Sequence, residues 1–181
     1  NYILITNLFR DSIMRNAHPG YIADILSRNL PRESKLILNA DDLISCGVAE
    51  ENARCYFGIG RMPGDVTECV YHHIGHAVCE SCGFHSPEAD YLAEQVDLQA
   101  RTMAVREKDG VTYPYELITD SLFNIYNMMA VIAALRQLGL SHETIRKRFA
   151  GTKILESRLS EEKIGGVNVI MQMSKDKNAL A

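Results

Sequence analysis

The chain has 181 residues, of which 46% are hydrophobic and 23% charged, and its formal net charge is −4. These values are typical of one soluble domain with room for a small appendage, and they exclude a bulk basic field for nucleic acid. No apolar run approaches the roughly 18 residues of a membrane-spanning helix. Five cysteines, an odd count, favour free or metal-bound thiols and a reducing cytoplasm over a disulfide framework.

Three short apolar runs in the first third of the chain predict buried strands. They are residues 2–5, 35–38 and 54–59, and a polar helix is predicted over about 21–29, ended by Pro31. Strand, helix, strand alternation predicts a parallel sheet. The first run is interpreted as a strand and not as a signal peptide, so the chain is expected to begin in mid-fold.

Polar residues follow the first two predicted strands, where parallel sheets place their ligands. They are Thr6-Asn7 and Asn39-Ala40-Asp41-Asp42. For Asp41 and Asp42 a ribose or metal contact is possible, but helix capping is the preferred interpretation. Of the thiols in this part of the chain, Cys55 is predicted to lie in the core and Cys46 to be inert.

Residues 60–90 are interpreted as a Cys/His-rich insertion. Cys79-Glu80-Ser81-Cys82-Gly83 places two thiols two residues apart, so that both can reach one tetrahedral metal, and the glycine lets the backbone turn. Two free thiols on a turn are the alternative. Thiolate-rich sites suit zinc, in a structural role. The predicted ligands are Cys69, Cys79 and Cys82, with the fourth left open among His72, His73 and His76.

The second half of the chain alternates between hairpin and helix signals. Lys108-Asp109-Gly110 predicts a turn between the extended runs 99–106 and 111–117, and Gly165-Gly166 predicts a second hairpin. An apolar helix is predicted over 122–138, with Met128 and Met129 in its core face and Gly139 as its stop.

A shorter helix is predicted to start after Ser141 as N-cap and to end near Phe149. His142, which follows this N-cap, is expected to be exposed. In the preceding helix, Asn124 and Asn127 stand one turn apart and can share a face; Asn124 as an N-cap is the alternative interpretation.

Several blocks together resemble the Mur ligase superfamily. Thr6-Asn7-Leu8-Phe9-Arg10-Asp11 resembles a strand end of its central domain, and Asn39-Ala40-Asp41-Asp42 resembles its "NADD" block. Phe123-Asn124-Ile125-Tyr126-Asn127 resembles the helix start that meets adenine. The Cys-rich insertion after Tyr56-Phe57-Gly58-Ile59 is similar to that of the MurT-like subunits of lipid II isoglutaminyl synthase.

The resemblance implies an α/β fold: a Mur-ligase central-domain parallel sheet with flanking helices and a zinc-ribbon-like insertion. Residues 1–153 would form part of the central domain and 154–181 the start of the C-terminal ligase domain. The implied cofactors are ATP and Mg²⁺, with Asn124, Asn127 and Arg158 at the nucleotide, besides structural Zn²⁺. The implied reaction activates the D-glutamate carboxylate of lipid II for amidation to D-isoglutamine, with ammonia from a GatD-like glutamine amidotransferase.

The chain also departs from the family pattern. The phosphate-binding block G-T-N-G-K-T does not occur, and Ser157-Arg158-Leu159-Ser160 keeps only the arginine of Gly-Arg-x-Glu. This chain alone is therefore expected to be inactive. Two alternatives stay open: another Mur ligase or a folylpolyglutamate-synthetase relative, and a non-catalytic zinc-ribbon module on a degenerate ligase scaffold.

Overall fold

The computed structural model describes residues 1–8, 18–60, 83, 85–118, 122–152 and 159–172. Within these ranges the chain forms four helices and eight strands. In chain order they are β1 (Tyr2–Ile5), α1 (Pro19–Asn29), β2 (Lys35–Asn39), α2 (Leu43–Cys46), β3 (Arg54–Ile59), β4 (Tyr91–Asp97), β5 (Thr102–Glu107), β6 (Thr112–Glu116), α3 (Leu122–Gln137), α4 (His142–Ala150), β7 (Leu159–Ile164) and β8 (Val167–Gln172).

Six strands form one sheet in the order β1-β2-β3-β4-β5-β6. The first four strands run parallel, and β5 and β6 are antiparallel additions at one side. The parallel sheet and the hairpin between β5 and β6 are thus confirmed. Strand β4 was not predicted; it directly follows the assigned insertion and completes the parallel part of the sheet.

Helix α3 covers one face of the sheet and is apolar around most of its circumference, as expected for a largely buried helix. Ile125, Met129 and Ile132 are completely buried and pack with Phe57 and Ile59 of β3. The predicted core positions of Met128 and Met129 are confirmed. The helix ends at Gln137, one residue before the predicted end, and Gly139 follows it with a φ of 87°, which few other residues adopt without strain.

Helix α1 accompanies a second, smaller core on the other face. Ile5, Leu36 and Leu38 are buried there, with Leu26 of α1 packed against them. Pro19 occupies the first turn of α1, and the chain is extended at Leu30, before Pro31, as expected for a residue that precedes proline.

The predicted C-terminal hairpin is confirmed as a separate two-stranded antiparallel sheet, β7-β8. Gly165 and Gly166 turn it, with φ values of 59° and 84°. The domain boundary predicted at residue 153 remains a prediction. Among the described residues, none of the helices combines the length and apolarity needed to cross a bilayer.

Candidate functional site

Asp41 organises the carboxyl edge of the parallel sheet. It follows β2 and is only 2% exposed. Its Oδ2 accepts hydrogen bonds from the Tyr126 hydroxyl at 2.8 Å and the Ile59 backbone N–H at 3.0 Å, and its Oδ1 accepts one from the Ser86 hydroxyl at 3.1 Å. These four residues, the Asp41 cluster, join segments that are up to 85 positions apart in sequence.

The backbone around Asp41 is shaped to hold this carboxylate. Asn39 Oδ1 accepts a hydrogen bond from the Asp41 backbone N–H at 3.0 Å. This bond closes a turn directly after β2. In the neighbouring strand, a Cβ on Gly58 would lie 3.1 Å from Asp41 Oδ2. Glycine at position 58 therefore leaves the space that the carboxylate occupies.

Asn124 and Asn127 lie in the first turns of α3, close to this edge. The Asn127 Nδ2 donates to Asn124 Oδ1 at 3.2 Å, which confirms that the two amides share a face of the helix. Asn127 is exposed and Asn124 half-buried, whereas Tyr126, between them in sequence, turns inward to Asp41. The pair thus presents amide donors and acceptors outward, beside the strand ends.

Of the two capping interpretations, that for Asn124 is wrong and that for Asp42 holds in position only. Helix α3 already includes Leu122, so Asn124 stands inside the helix and is not its N-cap. Asp42 does occupy the N-cap position of α2, but its side chain makes no capping hydrogen bond. Instead its Oδ2 accepts the Leu8 N–H at 2.8 Å and a short hydrogen bond from the Ser45 hydroxyl. Asp42 therefore connects the end of β1 to α2.

The predicted metal ligands and the third nucleotide residue lie outside the described residues. They are Cys69, Cys79, Cys82, His72, His73, His76 and Arg158. Gly83, which is described, has a φ of 73°, the left-handed turn expected after the Cys-x2-Cys pair. Elsewhere in the described part of the chain, no three His, Cys, Asp or Glu side chains group as a metal site would require.

The two described cysteines are structural. Cys55 is buried in β3, as predicted. Burial raises the pKa of both the Cys46 and the Cys55 thiol to about 12, with neighbouring aspartates adding to the effect. Because the thiolate is the nucleophile, these protonated thiols are unreactive at neutral pH, in keeping with the prediction that Cys46 is inert.

The expectation that His142 is exposed is wrong. Its Nε2 lies 2.9 Å from Glu107 Oε1, its Nδ1 lies 2.6 Å from the Tyr115 hydroxyl, and its ring stacks on Tyr113 at 3.7 Å. Arg136 completes this Glu107 cluster by donating from Nε to Glu107 Oε1 at 2.7 Å. The first residue of α4 thus turns inward because Glu107 of β5 and Tyr115 of β6 supply partners for both ring nitrogens.

Charges inside the Glu107 cluster compensate one another. Burial disfavours an ionised Glu107, but hydrogen bonds from Arg136 and His142 outweigh it and lower the pKa of that carboxyl. Burial lowers the pKa of His142 despite the carboxylate beside it. A neutral His142 can accept at Nδ1 from Tyr115 and donate at Nε2 to Glu107, which satisfies the ring.

A cleft of about 800 Å³ lies between α4 and the ends of β5 and β6. Its described lining includes Arg101, Arg146, Tyr115 and Phe149. It shares none of its described lining with the Asp41 cluster or with the asparagine pair. The candidate site is therefore defined by the strand ends and α3, and not by this cleft.

Sequence reasoning did not anticipate the Asp41 cluster. Tyr126 could have been singled out, because a tyrosine on the apolar face of a helix brings a hydroxyl that requires a partner. No pattern indicates that the partner is Asp41, or that Ser86 joins it, because these residues lie 45 to 85 positions from Asp41 in the sequence.

No protein-family model matches the chain. It is 25% identical to the lipid II isoglutaminyl synthase (glutamine-hydrolyzing) subunit MurT of Staphylococcus aureus strain COL, over 81% of this chain and 38% of that protein. It is 26% identical to the subunit of the same name from Streptococcus pneumoniae R6, over 96% of this chain and 43% of that protein. The chain thus spans well under half the length of these relatives.

Two solved structures show the same fold. A pseudomurein peptide ligase type C from Methanothermus fervidus superposes with a TM-score of 0.72 at 22% identity, covering 96% of this chain and 38% of that one. MurF from Acinetobacter baumannii gives 0.62 at 16% identity, covering 93% of this chain and 33% of that one. The chain therefore has a mixed α/β fold similar to that of Mur ligases, and the resemblance to MurT subunits predicted from its sequence is confirmed.

Proposed function

We propose that this chain is part of an ATP-dependent, amide-forming ligase of peptidoglycan synthesis. Its reaction would activate the D-glutamate carboxylate of lipid II for amidation to D-isoglutamine. The observation that carries the proposal is the similarity to MurT subunits over most of this chain. A carboxylate cannot expel oxide, so transfer of the γ-phosphoryl group of ATP would supply the leaving group that ammonia displaces.

The described geometry supports a nucleotide at the carboxyl edge of the sheet. Open α/β sheets bind ligands outside the carboxyl ends of their strands, which is where Asp41 and the first turns of α3 lie. Side-chain amides such as that of the exposed Asn127 and that of the half-buried Asn124 can both donate to and accept from an adenine edge. We assign the adenine to Asn127 and Asn124, and a phosphate or ribose contact to Arg158.

The remaining parts of the proposal concern the longer protein and the Cys/His segment. Mg²⁺ would offset the charge of the phosphates, and a GatD-like glutamine amidotransferase would deliver ammonia. Residues 154–181 would begin a C-terminal ligase domain. Cys69, Cys79 and Cys82 would bind a structural zinc with one of His72, His73 or His76, and the left-handed Gly83 fits a turn beneath two such thiolates.

Nucleotide binding is tested by titrating the chain with Mg·ATP while recording amide NMR spectra, which detect weak binding. We expect shifts in residues 124–129 and at the ends of β2 and β3. Asn127→Ala should weaken binding about fivefold, since a neutral hydrogen bond contributes about 1 kcal/mol. Asn29→Ala is the matched control, because this exposed asparagine ends α1 at the opposite edge of the sheet and bonds only locally, to Ile25 O.

Mg·CTP should bind more weakly than Mg·ATP if the side-chain amides of Asn124 and Asn127 form hydrogen bonds with the adenine base. Equal shifts with both nucleotides would contradict recognition of adenine by the two amides. No shifts with either nucleotide would contradict the nucleotide site and favour a non-catalytic module on a ligase scaffold.

Zinc is tested by elemental analysis of protein prepared without chelators, with Cys79→Ser beside the wild type. About one zinc per chain, lost in the variant, is expected for a closed structural site. Absence of metal in the wild type would overturn the zinc proposal and leave the nucleotide proposal standing.

A further inference from the structure

We infer that Asp41 is a positioning residue: by holding Tyr126 it sets where Asn124 and Asn127 stand relative to the carboxyl edge of the sheet. The inference rests on the proposed nucleotide site for its functional consequence. Its structural part is that one buried carboxylate fixes the start of α3, and this part depends only on the contacts of Asp41.

The first argument is the position of Tyr126 within the helix. It lies two residues after Asn124 and one before Asn127, and it points to the sheet while they point outward. Tyr126 is only 5% exposed, and its hydroxyl donates to Asp41 Oδ2 at 2.8 Å. Any shift or rotation of this helical turn would move both asparagines and at the same time stretch the hydrogen bond between Tyr126 and Asp41.

The second argument is that Asp41 cannot easily follow such a shift. The same Oδ2 accepts the backbone N–H of Ile59, which belongs to a central strand, and Oδ1 accepts from Ser86. The Asn39 side chain holds the Asp41 backbone. Gly58 leaves only enough room for the carboxylate, since a Cβ there would approach Oδ2 to 3.1 Å. The carboxylate is therefore a rigid reference point for the helix.

The third argument is where the other end of α3 is held. Arg136, one residue before the C-terminus of α3, bonds Glu107 at 2.7 Å and the Leu140 carbonyl at 2.6 Å. The helix is thus fixed to the sheet by polar contacts near both ends. Of these two contacts, the one with Asp41 adjoins the asparagine pair, so its loss should loosen the pair more than the other end of the helix.

The test compares two variants that each remove one buried tyrosine hydroxyl. Tyr126→Phe removes the bond to Asp41, and Tyr115→Phe removes the bond to His142 in the Glu107 cluster. Both should lower the unfolding midpoint to a similar extent. Hydrogen exchange of the amides in residues 124–129 should accelerate several-fold in Tyr126→Phe and stay unchanged in Tyr115→Phe.

The functional readout is the affinity for Mg·ATP from the same NMR titration. Tyr126→Phe should weaken binding about fivefold, the effect of one hydrogen bond, while Tyr115→Phe should bind like the wild type. Equal affinities in both variants would assign Tyr126 a purely structural role and overturn the inference. If the wild type binds no ATP, the proposed function fails, and the exchange experiment alone decides whether Asp41 positions the helix.

Gly58→Ala gives an independent perturbation, because its methyl group would press on Asp41 Oδ2 without removing any hydrogen-bonding group. It should accelerate exchange in residues 124–129 as Tyr126→Phe does. Unchanged exchange in both variants would show that the start of α3 is held by apolar packing and not by Asp41.

Discussion

The two ends of α3 are tied to the sheet by different chemistry. Near its start, Asp41 accepts from the hydroxyls of Tyr126 and Ser86 and from a backbone N–H. Near its end, Glu107 meets Arg136 and His142, so its charge is balanced within the cluster. The first arrangement adjoins the asparagine pair at the carboxyl edge, whereas the second is enclosed by Tyr113, Tyr115 and α4. The two carboxylates therefore differ in what surrounds them.

The largest expected effect is that of Asp41→Ala. The substitution removes the acceptor for Tyr126, Ser86 and Ile59 in a region that water does not reach. Since loss of each hydrogen bond to a buried carboxylate costs about 1–3 kcal/mol, the free energy of unfolding should fall by about 3 kcal/mol or more. Urea denaturation measures this, with the exposed Asp24→Ala as control, for which a change below about 0.5 kcal/mol is expected. A loss no larger than that of Asp24→Ala would contradict the central role of Asp41.

Glu107→Gln should have a smaller effect at the other end of α3. The variant keeps the shape of the side chain but loses the charge that Arg136 and His142 share, and Glu107 is 16% exposed. We expect a loss of about 2 kcal/mol, the typical contribution of a hydrogen bond to a charged group. The same urea experiment checks it, with Glu94→Gln, whose partner Arg106 is about one-third exposed, as the milder comparison.

Stability should also depend on pH through His142 of the Glu107 cluster. Burial lowers the pKa of His142 in the folded state, so the unfolded chain takes up this proton first as the pH falls. The stability contribution of neutral His142 is complete above its unfolded pKa of about 6.5 and declines as the pH falls through its lower folded pKa. Glu107 of β5, Tyr113 and Tyr115 of β6, Arg136 of α3 and Arg146 of α4 are the ionisable groups that face it or act on its charge.

Replacing His142 with glutamine should reduce the pH dependence of the free energy of unfolding. Unfolding free energies of wild type and His142→Gln, measured from pH 7.5 downward, should converge as the pH falls below about 6.5. A constant difference across this range would mean that His142 does not change its protonation between the folded and unfolded states.

The smallest effect concerns the two N-cap positions. The Ser141 hydroxyl accepts the Thr144 N–H at 3.2 Å and caps α4 as predicted, whereas Asp42 makes no such bond in α2. Ser141→Ala should cost about 1 kcal/mol, the usual contribution of a serine cap. Thermal unfolding with Ser141→Asp as a capping-competent control checks this. Equal midpoints for both variants would indicate that the cap contributes nothing.

Much of the fold could be predicted from the sequence because it depends on local patterns. Continuous apolar runs identified β1, β2 and β3, the helical spacing of Ile125, Met129 and Ile132 identified α3, and Gly139 marked its end. Strand β4 was not predicted because it directly follows the Cys/His segment, and the sequence there was interpreted from its cysteines and histidines and not from strand patterns. The prediction of exposure for His142 failed because a residue beside an N-cap is usually solvated, and only packing against β5 and β6 turned it inward.

The sequence by itself determined the parallel α/β order, the position of the asparagine pair on one helix face and the resemblance to MurT subunits. These follow from periodicity and from ordered blocks, which are properties of neighbouring residues. Only the tertiary structure decided that Asp41 bonds Tyr126 across 85 positions, and that Glu107 gathers Arg136 and His142. The physical reason is that a buried polar group must find a partner, and which partner is within reach depends on how strands and helices pack.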